Sequence, residues 1–274
     1  MGIIEMGTRN EWAFSTLRDS LMIDIFGEKK YYPIFISTYG NLNYKLHKER
    51  LEFNILVVVS PKLKDLLTNG GTIHDKGSSY GYDVEIMDII TFMNFLTKGD
   101  LSCIEALFSP YQINCSGGLM DAKIIVEEYS DVIMKEFMIG ALSDVSSNYK
   151  HIYREKKSES DSDIDYSGKD VSRVFRIYDL ISQAYDGTNL AHLNFRIENR
   201  ALRELACAAE YYRLSNTLAR DRSKEAAEEA ANIANKFIEG HEKDEERMAE
   251  MKDDVNNLVY NAVHECLHSE EGWY

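Results

Sequence analysis

The sequence predicts an α+β protein: a small mixed sheet with helices over residues 1–110, followed by a helical bundle over residues 111–274. Three observations predict this division. β-Branched and aromatic residues crowd into short runs, YYPIFIST and EFNILVVV, which is strand composition. All three prolines lie at or before Pro110, and beyond it apolar residues recur at helical spacing nearly throughout. No repeat of fixed period interrupts either part, so a mixed layer followed by a bundle is the simplest architecture.

In chain order, Asn10 to Ile25 has helical spacing and an asparagine placed to cap, which predicts a first helix. YYPIFIST reads as a strand and EFNILVVV as a mostly buried one. PKLKDLL is a short helix opened by Pro61, because proline fits the first helical turn. NGGTIHDKGSSYGY has the glycine and serine of a loop or hairpin and leads into DVEIMDI, a third strand. TFMNFLTKG is a helix that stops at Gly99, and SCIEALF starts another. After Pro110, the run from Gly118 to Tyr153 predicts one long or two consecutive helices. Arg154 to Gly168, REKKSESDSDIDYSG, is polar and serine-rich and reads as an exposed loop. DVSRVFRIYDLISQAYDG is amphipathic and ends at Gly187. Asn199 to Glu239 reads as two helices parted near Arg222, and a last helix runs from about Ala249 to His268.

Composition narrows the function classes. With 44% hydrophobic residues the 274-residue chain can bury a real core. No run approaches the length of a membrane span, and the N-terminus lacks the basic, apolar and small-residue order of a signal peptide. The expectation is therefore a cytoplasmic protein with no membrane contact. The four cysteines, Cys103, Cys115, Cys207 and Cys266, form no CxxC pair and read as buried reduced thiols. Thirty-one basic against 46 acidic residues give a net charge of −15, which disfavours general nucleic-acid binding. From Asp221 onward 6 Lys and Arg face 15 Asp and Glu, so this region alone carries −9. Such a run makes a solvated helical face, and it is also the surface by which the chain would meet a basic protein partner.

The stretch YGNLNYKLHKERLEFNILVVVSP, Tyr39 to Pro61, holds the candidate site. Gly40, Asn43, Tyr44, Leu46, Pro61, Leu63, Asp65 and Leu66 fall, without a gap, in the register of a known frame. In this register the chain resembles the nucleotidyltransferases of the DNA polymerase β superfamily, in the RlaP/YcgL-like subfamily common in bacteria and bacteriophages. VEIMDIITFMNFLTKGDLSCIEALFSP and YSGKDVSRVFRIYDLI are similar to later segments of that subfamily, so the resemblance runs from about Ile34 to Leu180. The segment ending in LFSP is its most specific part. The resemblance implies a nucleotidyltransferase-type sheet. It also implies a Gly-Ser turn whose backbone N–H groups hold a triphosphate, and a Ser-Asp-x-Asp strand whose two carboxylates share one face and bind two magnesium ions. A third acid would come from a neighbouring strand.

At those positions the sequence departs from the pattern. Asn41 stands for the serine of the turn, Leu51 for the serine of the motif, Glu52 for the first aspartate and Asn54 for the second, while Glu85 or Asp83 could be the third acid. Asn54 is decisive, because a neutral amide cannot offset a divalent charge as a carboxylate does. Glu52, Asn54 and Glu85 thus read as a vestigial catalytic site and Gly40 and Asn41 as the nucleotide-binding turn, with no resident metal or cofactor, and Mg²⁺ only if the site is active. The expectation is a pseudoenzyme that works by binding a protein or a nucleotide. Since the resemblance takes in many bacteriophage proteins, it implies a factor that manipulates a host protein in the bacterial cytoplasm. The alternative is a divergent transferase moving a nucleotide onto RNA, protein or a small molecule through Glu52, Glu85 and Asp83.

Three other segments imitate sites. GSSYGYDVEI contains Gly-Ser and an acid-x-acid pair, but four residues between Ser78 and Asp83 leave no room for the intervening strand, so a loop entering a strand is expected. SDIDY, Ser162 to Tyr166, repeats the lost motif by letter inside a charged loop. HECLH, His264 to His268, matches H-E-x-x-H, in which two histidines one turn apart bind zinc. Its third ligand would have to come from Glu270, Glu271 or a remote loop, so it reads as a helix end with histidines near the C-terminal dipole.

Overall fold

The computed structural model describes residues 32–40, 54–60, 73–79, 82–152 and 166–271. The described residues form an α+β fold. A mixed five-stranded sheet is built from β1 (Tyr32–Tyr39), β2 (Asn54–Ser60), β3 (His74–Ser79), β4 (Tyr82–Asp88) and β5 (Gln112–Asn114), in the spatial order β3-β4-β2-β1-β5. β2 runs antiparallel to β1 and parallel to β4, and β3 and β5 are antiparallel edge strands. The expected strands are all present. GSS and YDVE face each other as the two arms of a hairpin, with Ser78 opposite Asp83. Outside the described residues lie the helices expected at Asn10 to Ile25 and after Pro61.

β2 is buried along its whole length after Asn54, as its run of β-branched residues requires of a strand covered on both faces. Leu56, Val58 and Met87 belong to the core shared with the helices, and Phe35 meets Phe92 edge-on at 5.1 Å. Ile36, Ile55, Val57 and Val59 are equally buried on the other face.

Two short helices cover the first face. In α1 (Ile89–Leu96) the Asp88 carboxylate caps the N-terminus, accepting from the backbone N–H and the hydroxyl of Thr91. In α2 (Leu101–Leu107) Asp100 does the same for Cys103. Between them Gly99 has φ +71, and a β-carbon there would lie 2.2 Å from the backbone nitrogen of Phe137. Only glycine permits both the turn and this approach.

The remainder is helical, apart from β5. The expected helical run divides at Tyr129 into α3 (Gly118–Glu128) and α4 (Ser130–Ile152). α5 (Gly168–Tyr185) follows, then a single 3₁₀ turn at Leu190–His192, α6 (Arg200–Glu210), α7 (Asn216–Gly240) and α8 (Glu245–Glu271). The break expected near Arg222 lies about ten residues earlier. Tyr212 takes a positive φ of 54, and Ser215 accepts from the Leu218 N–H to restart the helix, so Arg222 is inside α7. On α7 the residues Ala219, Ser223, Ala226, Ala230 and Ala234 make a buried small-residue stripe that lets α4 and α5 approach closely.

Contacts also run between the two expected parts, and two single-residue expectations, the exposure of Tyr166 and the burial of Cys115, are corrected. β5 crosses the change of pattern at Pro110 to pair with β1, and the core is continuous from Ile34 in the sheet to Ala262 in α8. At the end of the expected exposed loop Tyr166 is buried, its hydroxyl donating to the Leu214 carbonyl at 3.3 Å. Among the cysteines Cys103 is buried, but Cys115 is exposed. Among the described residues no helix is long and apolar enough to cross a membrane.

Candidate functional site

The site is built on the ends of three neighbouring strands. Gly40 terminates β1 with φ +87, the left-handed conformation that glycine adopts without strain. Asn54 opens β2 directly beside it, and a β-carbon on Gly40 would lie 3.5 Å from Asn54 Nδ2. On β4, Asp83 is in register with Asn54, and Glu85 lies two residues deeper, opposite Leu56. Because side chains alternate along a strand, Tyr39, Asn54, Leu56, Asp83 and Glu85 share one face. The expected positions Gly40, Asn54 and Glu85 are therefore neighbours. Glu52 and Asn41 lie outside the described residues.

Glu85 is 8% exposed, and its charge is answered from within the chain. One oxygen accepts from the Tyr39 hydroxyl at 2.8 Å. The other meets His74 Nε2 at 2.6 Å and Lys76 Nζ at 3.1 Å. Register explains these partners: Lys76 is directly opposite Glu85 on the β3–β4 hairpin, and His74 is two residues along on the same face. Burial alone would raise the pKa of the Glu85 carboxyl, but the donors His74, Tyr39 and Lys76 outweigh it and hold the group below its ordinary value. Burial first, and then the carboxylate beside it, push the Tyr39 phenol far up.

Gly40 shows the same self-sufficiency. Its N–H, at the turn where the resemblance implies phosphate binding, donates to Glu105 Oε1 at 2.6 Å, and Glu105 on α2 is 3% exposed. A buried carboxylate thus takes the N–H of this turn. Next to it, Ser37 Oγ donates to the Ala106 carbonyl at 2.6 Å, fixing α2 against β1.

A cavity of about 170 Å³ opens here between the sheet and the two short helices, lined by Tyr39, His74, Glu85, Phe95, Asp100 and Ser102 among others. Cys103 also lines it, with burial and then Asp100 holding its thiol well above the ordinary value, so it is a protonated wall rather than a nucleophile. Among the described residues no group of three or more His, Cys, Asp or Glu side chains is placed to hold a metal ion. A cation entering beside Glu85 would have to displace Lys76 and His74. Chemically the arrangement can bind a small polar group at the cavity mouth, while among the described residues the Gly40 N–H is taken by Glu105 and β2 opens with the amide Asn54.

Sequence reasoning missed Tyr39, His74, Lys76 and Glu105. His74 and Lys76 were within reach: with two residues, 80–81, between the hairpin arms, counting outward pairs Ser79 with Tyr82 and then Lys76 with Glu85, whereas Tyr39 comes from β1, on the far side of β2. Glu105 comes from 65 residues beyond Gly40, and only the folded chain brings them together. No protein-family model matches the chain, and no curated protein sequence matches it.

Proposed function

We propose that this chain is a non-catalytic protein on a nucleotidyltransferase-type scaffold, a bacteriophage factor that acts through contacts with a host protein rather than through phosphoryl chemistry. The observation that carries the reading is that the chain's own groups fill the site: Tyr39, His74 and Lys76 on Glu85, and Glu105 on the Gly40 N–H. Two-metal transfer needs carboxylates whose charge is reserved for the ions. Here the third acid is already neutralised and the second is the amide Asn54. The contact surface in this reading is the acidic outer face of α7 and α8 with the connection between them, where Glu239, Glu242, Glu245, Glu246 and Asp253 are exposed. The partner is a protein with a basic surface, met in the cytoplasm.

Incubation with each labelled nucleoside triphosphate and Mg²⁺ or Mn²⁺ tests the reading. No pyrophosphate release and no transferred label are expected, from the wild type and from Glu85→Gln alike. Label transfer by the wild type that disappears in Glu85→Gln would replace this reading with that of a divergent transferase.

A further inference from the structure

The HECLH segment is left unused by the site described above, and its geometry differs from that of an ordinary helix end. His264 and His268 are one turn apart on α8, both exposed, with their Nε2 atoms 3.0 Å from each other. The two rings are 4.2 Å apart between centroids and inclined at 63°. Tyr260, one turn earlier and 68% exposed, stacks on His264 at 5.8 Å and 26°, which limits the swing of that ring.

We infer that His264 and His268 form an exchangeable bidentate site for a late first-row transition-metal ion, such as Ni²⁺, Cu²⁺ or Zn²⁺. Two imidazole nitrogens each about 2.1 Å from one ion lie about 3.0 Å apart at a right angle and about 3.4 Å apart at the tetrahedral angle. The observed separation matches the first and is a small ring rotation from the second. In the metal-free contact one Nε2–H donates to the other Nε2 lone pair. Binding requires both lone pairs, so the donor ring moves its proton from Nε2 to Nδ1, and two nitrogen–metal bonds replace the Nε2–Nε2 hydrogen bond with no net loss of a proton. Neutral imidazole selects these ions over Mg²⁺ and Ca²⁺, which take oxygen donors. Among the described residues these two side chains are the ligands, so the ion exchanges readily and the site empties on dialysis against a chelator.

Titration calorimetry of the chelator-treated full chain with Ni²⁺, repeated with Zn²⁺ and Mg²⁺, tests this. One Ni²⁺ per chain is expected, with none of the heat reproduced by Mg²⁺. His264→Ala and His268→Ala should each abolish the event while circular dichroism keeps the wild-type helix content, and His241→Ala, at the C-cap of α7, should leave it intact. Absence of binding by the wild type, binding that persists in both variants, or loss in only one of them would overturn the chelate.

Discussion

Replacing Glu85 with glutamine keeps the shape of the side chain and removes the charge that Tyr39, His74 and Lys76 converge on. At neutral pH, Glu85→Gln should cost on the order of 1–3 kcal/mol, the usual worth of hydrogen bonds to a buried charged group. The pH dependence has a definite sign. A carboxyl whose pKa is lower folded than unfolded binds fewer protons in the folded state. Its contribution is full above the unfolded value, about 4.3 for glutamate, and is lost as pH falls through the folded one. The wild type should therefore lose stability on acidification below about pH 4 more steeply than Glu85→Gln, as read from urea midpoints between neutral and acid pH. Parallel curves would show that Glu85 is not held below its ordinary value. At this scale the sequence made the positions legible but not their state. Alternation gave the faces of Asn54 and Glu85, and the resemblance implied that their strands are neighbours, whereas whether Glu85 is available to a metal depends on partners from β1 and β3.

The elements that hold the site owe their placement to a few small or polar residues at turns. Gly99 lets the end of α1 pass the backbone of α4 at a distance no β-carbon tolerates. Gly99→Ala combines the strain of a positive φ, about 1–3 kcal/mol, with overpacking of similar size. A loss of roughly 2–5 kcal/mol is expected, visible as a lowered thermal midpoint with the circular dichroism of the remaining helices retained. A loss under about 1 kcal/mol would mean that α1 and α4 can separate at no cost. Strands and helices with strong periodicity, such as β2, β4 and α5, were legible because composition and spacing agree there. β5 was not, since three residues give no period to read and its pairing with β1 is decided only once α2 has turned the chain back. The α6–α7 break was expected about ten residues too late for a related reason. Helical spacing continues through Tyr211 and Tyr212, and the signal that ends it is the Ser215 cap, a single residue.

Across the whole molecule the excess of negative charge gathers on one pair of helices, and part of it is already answered. Arg222 pairs with Glu225, Lys224 with Glu228, and Lys243 reaches across to Glu136 on α4. Arg247 is spent on holding α8 in place: it stacks over Tyr129 at 4.8 Å and donates to the Glu128 carbonyl at 2.9 Å, while the Tyr129 hydroxyl donates to Asp254 at 2.6 Å. Hydrogen bonding to Asp254, and then burial, keep that phenol protonated, up to about 12. Glu245 and Glu246 are different, because they are exposed in the first turn of α8, where negative charge also complements the helix dipole. Reversing both to lysine changes the net charge by +4, from −15 to −11, and places cations where the dipole disfavours them. The stability cost should stay near or below about 1 kcal/mol per residue, as exposed dipole terms do. The effect on a partner with a basic surface should be larger, since every approaching cation then meets repulsion within a Debye length. Glu245→Lys with Glu246→Lys should therefore lower the association rate for such a partner more than it raises the dissociation rate, and the wild-type rate should itself fall with added salt. Unchanged association kinetics in the double variant, measured beside an unchanged thermal midpoint, would remove α8 from the binding surface and leave its charge as a solvated face.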